Sequence, residues 1–297
     1  MKYCFKKISG CYRCVNMNEL IEKNLGEDKN MEFRKNDIEL INKYRDSDNL
    51  FIYLNKNKPI FTDEDKKQLE EKTDPFSDLD KLERCGVAFT CIVGKKLNSS
   101  SGNQKFKSRI KPTAWKSIGC DYIEDGKCLY NRCHLIGRQL YVKKADKRGL
   151  ITGTRKFNME GMLQFEDKAV KYINDNPDHH ILYRVTPYFG EDNLLAYGVQ
   201  MEMLDIDNEE NFSYNVFVYN KQPGFILDYE NGDVYSDYSL SLSGKRSGFN
   251  IYVIDRDANK FHKETCASVS DIKNKRYFVG GKQRLETKYC KCEICIF

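Results

Sequence analysis

The chain predicts an α+β fold built on a mainly antiparallel sheet, with a small zinc-stabilised domain at its C-terminal end. Three observations predict this. Short runs rich in Val, Ile, Phe and Tyr recur between residues 50 and 219, several with period-two alternation, the spacing of half-buried strands. In their midst Met162, Phe165, Ala169, Tyr172 and Ile173 fall at helical spacing. Near the C-terminus, His262-x-x-x-Cys266 and Cys292-x-x-Cys295 form two close pairs of soft or borderline ligands, the set that a tetrahedral structural zinc takes.

A chain of 297 residues can bury a sizeable core, and two domains is the expected organisation. With 40% hydrophobic and 31% charged residues the composition is that of a folded protein. No apolar run is long enough to cross a bilayer, so membrane insertion is not expected. Met1 to Leu25 contains Lys2, Lys6 and Lys7 but no unbroken apolar stretch or small-residue cleavage site after them. Without a conventional secretory signal the chain reads as cytoplasmic as written. Twelve cysteines scattered through so long a chain fit reduced thiols and one zinc site better than a disulfide framework.

Residues 1–48 read as an N-terminal helical extension, with amphipathic spacing at Met17 to Leu25 and Met31 to Tyr44. There Cys11-x-x-Cys14 is either half of a metal site or a pair of ordinary thiols. Residues 49–235 form the main domain, with strands expected at Leu50 to Leu54, Gly86 to Val93, Ile181 to Pro187, Leu194 to Leu204 and Asn211 to Tyr219. Asn98 to Gln104 and Tyr141 to Arg148 are expected loops bordering a substrate groove, and Met162 to Asn174 is a helix presenting Glu166 from its early turns. Residues 236–248, Ser/Gly-rich and basic, read as a linker. The small domain, 249–297, opens with a strand at Asn250 to Asp255; so short a segment has little core, which makes a metal a folding determinant. Cys290 is an additional candidate and leaves the ligand set open.

The net charge of +5 is unevenly spread, with an excess of +8 in residues 101–148 and +5 in residues 236–297. Such segregation suits a face turned to a polyanion, and equally a lysine-rich solvated loop.

The densest chemistry lies in Tyr130-Asn131-Arg132-Cys133-His134-Leu135-Ile136-Gly137-Arg138-Gln139, followed downstream by Asn158 and Glu166. Phosphodiester hydrolysis needs an activated water and a cation that neutralises the transferring group. A neutral imidazole takes a proton near pH 7, which makes His134 the candidate base. Magnesium prefers hard oxygen ligands and keeps much of its water, so the Asn158 amide oxygen suffices as a direct ligand while Glu166 accepts hydrogen bonds from metal-bound waters. Cys133 beside His134 raises a thiol nucleophile, but neighbours on a strand face opposite ways, and packing accounts better for it.

These residues carry a resemblance. Tyr130 to Leu140, Leu150-Ile-Thr-Gly-Thr154 with Arg155, Asn158-Met-Glu160-Gly-Met162 and Tyr183-Arg-Val-Thr-Pro187 together resemble the DNA/RNA non-specific endonuclease family, in its streptococcal-type DNase branch. Phe61-Thr-Asp63, Arg84-Cys-Gly-Val-Ala88 and Lys111-Pro-Thr-Ala-Trp115 extend the likeness to about residues 55–233. The resemblance implies a ββα-metal active-site motif and magnesium-dependent cleavage of DNA, with RNA as a second substrate and manganese as a substitute ion, leaving 5′-phosphate and 3′-hydroxyl ends. It assigns His134 as general base, Asn158 as metal ligand, Glu166 as the motif's carboxylate and Arg132 to the motif's arginine, with Lys111, Arg138, Arg148 and Arg155 as substrate-binding cations. The common core Asp-Arg-Gly-His is here Asn131-Arg132-Cys133-His134, the form of the DNase branch. At Gly149 similar members carry an Asn that helps hold the phosphate, a role left to Arg148; a binding protein that kept the fold and lost turnover is the alternative this departure supports. The C-terminal pairs resemble an Ada-like metal-binding module, with His262, Cys266, Cys292 and Cys295 on zinc. The family is often secreted, and inside a cell such a nuclease would need an inhibitor protein.

Overall fold

A computed structural model describes residues 31–70, 72–94, 110–123, 128–141, 146–236 and 250–296. The helix expected at Met17 to Leu25, the Cys11-x-x-Cys14 pair, the loop Asn98 to Gln104, residues 142–145 and all of the expected linker except Ser236 lie outside them. In chain order the strands are β1 (Phe51–Tyr53), β2 (Ala88–Val93), β3 (Ile118–Cys120), β4 (Tyr130–His134), β5 (Leu150–Thr154), β6 (His180–Tyr188), β7 (Gly198–Asp205) and β8 (Ser213–Tyr219). They continue as β9 (Phe225–Leu227), β10 (Val234–Ser236), β11 (Ile251–Asp255), β12 (Lys260–Lys263), β13 (Lys275–Val279) and β14 (Cys290–Lys291). The helices are α1 (Met31–Tyr44), α2 (Leu163–Asp175) and α3 (Lys282–Glu286). The fold is α+β and mostly antiparallel.

The central sheet has the order β1-β8-β7-β6-β2, and every neighbouring pair is antiparallel. Alternation along each strand decides what the two faces meet. Val199, Met201 and Met203 of β7, with Ile181, Tyr183 and Val185 of β6 and Val216 and Val218 of β8, share an apolar layer with Phe157, Phe165, Ala169 and Ile173. That layer seats α2 and the hairpin β4-β5 on one face. On the other face, Ile52, Leu54, Phe217 and Tyr219 pack with Ile41 of α1, and the Tyr219 hydroxyl donates to the Ile41 carbonyl at 2.9 Å. Strand β7 is therefore buried along its whole length.

Burial of both faces obliges the polar residues of β7 to find partners. Gln200 accepts from the Tyr188 hydroxyl at 2.7 Å and donates to Asn215 at 2.8 Å. Glu202 accepts from Arg184 Nε at 2.8 Å and from the Ile60 amide at 2.7 Å, which fixes the segment before β2 onto the sheet.

Strand β7 starts at Gly198, later than its apolar run suggests, because the Leu195 amide turns away to the Tyr229 carbonyl. The helix expected from Met162 is preceded by one π turn, Phe157–Met162. A second sheet has the order β14-β12-β11-β13-β3. Four of its strands come from the C-terminal segment, and β3 comes from well before β4. Among the described residues no helix is long and apolar enough to cross a membrane.

Beyond the C-terminal end of α2, the fully buried Asp205 accepts from the Tyr172 hydroxyl and meets His179 Nδ1, both at 2.6 Å. The hydrogen bond to Asp205 raises the His179 pKa above its ordinary value. A raised folded-state pKa adds stability that is fully present below the unfolded value and is lost as pH rises through the folded one. The melting-temperature gap between wild type and His179→Asn should therefore be widest near about pH 5.5 and narrow by about pH 9. Equal gaps at both would contradict the ion pair.

Candidate active site

The site starts from a hairpin. β4 and β5 pair from Tyr130↔Thr154 to His134↔Leu150, so Arg132 and His134, two residues apart, share one face while Cys133 points to the other. Cys133 is fully buried in the main apolar layer, and burial drives its thiol well above the ordinary range. It is a packing residue, as alternation predicts.

His134 is half-buried, and its Nε2 lies 3.2 Å from Nε of the exposed Arg138. Burial first, and the neighbouring Arg138 charge second, lower the imidazole to about 4. At neutral pH the ring is uncharged, and Nε2 is the nitrogen that accepts from Arg138.

After β5 the chain enters the π turn, in which the Leu163 amide bonds the Asn158 carbonyl five residues back. Such single turns often mark functional positions, because the inserted residue re-aims the side chains beside it. Asn158 is half-buried there, its Nδ2 against Met159 Sδ at 3.4 Å. Glu166 follows in the first turn of α2, and its carboxyl lies against Gly137, where an added Cβ would overlap Oε2. No described residue hydrogen-bonds this carboxyl. Burial, with a smaller contribution from Asp167, raises it to about 7. Hairpin, connecting loop and helix thus bring His134, Arg138, Gly137 and Glu166 into one neighbourhood, with Asn158 on the π turn that runs into the helix bearing Glu166.

The other predicted cations differ in what holds them. The Arg132 guanidinium lies 4.0 Å over the Trp115 ring, and its Nε donates to the Ile110 carbonyl at 2.5 Å. Lys111 is exposed beside this clamp. Arg155 reaches Asn131 Oδ1 at 3.4 Å. Arg148 is held by Asp146 and Asp74, each at 2.8 Å, so carboxylates occupy the guanidinium that was to substitute at Gly149. Trp115 and Gly137 were not among the predicted site residues. The Lys111 to Trp115 motif pointed to the first; nothing local in sequence pointed to the second.

Away from this hairpin, the ligand atoms of His262, Cys266, Cys292 and Cys295 all lie within 4.8 Å of one another. His262, Cys266 and Cys292 are buried, Cys295 is partly exposed, and Cys290 is exposed and outside the group. His262 Nδ1 is buried without a hydrogen-bond partner, and Cys266 Sγ sits 4.0 Å from Cys292 Sγ. Tetrahedral zinc–thiolate bonds of about 2.3 Å put sulfurs about 3.8 Å apart, so the donor set fits such an ion.

Gly149 is buried because the Phe76 ring occupies the space of a side chain, a Cβ there falling 2.5 Å from it. Gly149→Asn should therefore lower unfolding stability by about 1–3 kcal/mol in urea titrations. An unchanged midpoint would show that Phe76 moves aside freely.

Residues 67–207 match the family model described as DNA/RNA non-specific endonuclease. Among solved structures, NucA from Streptococcus agalactiae with no metal bound is similar at a TM-score of 0.52 and 18% identity, over 63% of this chain and 87% of that one. The same nuclease with magnesium bound gives 0.51 and 17%, over 70% and 95%. The Sda1 nuclease with bound zinc shares 27% identity at a TM-score of 0.47, over 55% of this chain and 81% of that one. No curated protein matches. The NucA likenesses establish the fold, and the matched segment spans β2 to β7 with the hairpin and α2 between them. Residues 67–207 thus resemble the DNA/RNA non-specific endonuclease family in sequence and share the fold of NucA.

Proposed function

We propose that this domain hydrolyses internal phosphodiester bonds of DNA, with RNA as a second substrate, using His134 as general base beside a hydrated magnesium ion. The observation that carries the reading is a half-buried neutral imidazole facing Arg138, with the Glu166 carboxyl, to which no described residue hydrogen-bonds, against the adjoining loop. At neutral pH His134 is free to accept a proton from the attacking water. A base titrating at about 4 is weak, and Arg138 is part of the cause. When the Arg138 guanidinium turns to a substrate phosphate, its charge is compensated and the imidazole becomes more basic. The substrate thereby strengthens the base that activates the attacking water.

The oxygens of Asn158 and Glu166 suit magnesium, with manganese as a substitute. Asn158 would hold the ion by its amide oxygen, and Glu166 would accept hydrogen bonds from the waters around it. Bound there, the ion supplies neutralisation of charge on the transferring phosphoryl and the leaving oxygen. Arg132 acts beside His134 at the phosphate being cleaved, Lys111, Arg138 and Arg155 bind flanking phosphates, and Arg148 joins them only by exchanging Asp74 for phosphate. Gly149, which suggested binding without turnover, is accounted for by the packing of Phe76. The C-terminal cluster is read as a structural zinc site in an Ada-like module, supported by its donor geometry and the unpartnered His262 Nδ1.

Purified protein with supercoiled plasmid and magnesium should nick and linearise it, and EDTA should stop this. Intact plasmid under every divalent ion tested would reject the enzyme. His134→Ala should lower the rate about a thousandfold with DNA binding retained. A cation favours the ionised form of Glu166, so raising magnesium should move the acid limb of cleavage below pH 7, and Glu166→Gln should remove that dependence. Elemental analysis should find one zinc per chain, lost in the Cys292→Ser, Cys295→Ser double variant; a folded metal-free wild type would contradict the module.

A further inference from the structure

We propose that Trp115 is a positioning residue for Arg132, and that the C-terminal Cys/His centre holds Trp115 in place across the second sheet. The proposal deepens the nuclease reading and takes its kinetic test from it, while its structural test stands on geometry alone. A single row of paired residues crosses that sheet: His262 on β12 faces Val253 on β11, Val253 faces Tyr277 on β13, and Tyr277 faces Ile118 on β3. With strands about 4.8 Å apart, the row joins a candidate metal ligand to β3 in three steps, about 14 Å.

Each end of this row is fastened. At one end the Cys292 amide donates to the Phe261 carbonyl at 3.0 Å and the Cys266 amide to the Lys263 carbonyl at 3.0 Å, so both ligand pairs are tied to β12. Two of the four ligands, Cys266 and Cys292, also belong to a core cluster of only eight buried residues around β11, β12 and α3. So small a core leaves these strands dependent on a cross-link. At the other end, β3 has β13 as its ladder partner, apart from one isolated bridge between Gly119 and Cys128. The Asp121 amide donates to the Val279 carbonyl at 2.9 Å, and Arg284 of α3 pairs with the Asp121 carboxylate.

From β3 the link passes to the hairpin. Ile118 and Val279 share a core cluster with Leu129 and Tyr130, and Trp115 packs against it. The Leu129 amide donates to the Ile118 carbonyl at 2.9 Å. Arg132 is clamped by the Trp115 ring and the Ile110 carbonyl, both on the segment that runs directly into β3. Arg132 shares its strand face with His134, so the indole sets where that guanidinium stands relative to the base. The metal centre and Arg132 are therefore two ends of one hydrogen-bonded frame.

Trp115 is the only tryptophan in the chain, which makes its fluorescence a reporter of this seam. Zinc content, acrylamide quenching, and kcat and KM on duplex DNA should be measured on the full chain for wild type, Cys295→Ser, Gly119→Val and Trp115→Leu. Gly119→Val keeps all four ligands but puts a Cβ 3.2 Å from the Phe278 ring, opening β3 from β13. Cys295→Ser and Gly119→Val should each raise the quenching constant at least about twofold and lower kcat about tenfold with KM little changed, Gly119→Val retaining its metal. Trp115→Leu should reproduce the kcat loss with metal retained, and Trp115→Phe should recover most of it. Unchanged quenching in either seam variant, or wild-type kcat in Trp115→Leu, overturns the proposal, and so does a wild type without bound metal. Should Cys295→Ser fail to fold by circular dichroism, Gly119→Val decides alone. A wild type that does not cut DNA sinks the nuclease reading, while the quenching arms still judge the link.

Discussion

Burial of Cys133, Ile151, Phe157 and Phe165 in one apolar layer is the constraint on which the rest of the structure depends. A two-stranded hairpin is marginal by itself, and among the described residues β4-β5 pairs with no third strand. It becomes a rigid platform because its inward face interlocks with the π turn and α2, which in turn lie on the central sheet through Tyr183, Val199 and Met201. Removing a buried phenylalanine from such a layer costs about 3–5 kcal/mol. The cost would fall on the geometry that sets Glu166 against Gly137, three residues after His134, as much as on stability.

The same burial sets the electrostatics. Desolvation disfavours charge of either sign, so it lowers His134 and raises Glu166, drawing base and carboxyl toward neutrality together. An uncharged imidazole and a carboxyl titrating near 7 carry little net charge between them. On the proposed reading this would suit a place where a polyanion and a divalent cation meet, since a fully ionised carboxylate cluster would hold the cation but repel the phosphate. Of the basic residues, Arg138 touches His134 and Arg132 shares its strand face.

Much of this was legible in the chain. Period-two alternation located β1, β2, β6, β7 and β8 because each is half-buried or buried with clear sides, and the 3.6-residue spacing located α2 because its apolar stripe faces a sheet. The short strands β3, β9, β10 and β14 were not legible, having no room for a period, whereas β1, also short, lies inside the longer apolar run Leu50 to Leu54. The π turn was hidden because one inserted residue leaves composition unchanged. Gly149 looked like a missing amide, since sequence does not show that the Phe76 ring fills that space. Arg148 looked like a spare cation, and its carboxylates arrive from Asp74 and Asp146, one of them far away in the chain. The four ligands of the Cys/His cluster were readable from spacing, and only burial separated Cys290 from them.

The second sheet was the least legible feature, because its fifth strand comes from the other side of the hairpin. Local patterns do not register a parallel pairing between Tyr277 and Ile118 across so long a separation. Yet this pairing explains why a cluster of four donors belongs at the end of the chain. The core it sits in is small, and four ligand atoms within 4.8 Å leave a buried imidazole nitrogen with no protein partner. A cation at that point would satisfy the nitrogen and neutralise the thiolates in one step, at a binding free energy of about 10–16 kcal/mol for zinc in small domains. So large a local term exceeds what eight buried side chains supply after conformational entropy, and its effect would spread along the hydrogen-bonded rows as far as β3. On the proposed reading the C-terminal segment would act on the hairpin as a brace, since β3 pairs with β13 and Ile118 shares a core cluster with Tyr130.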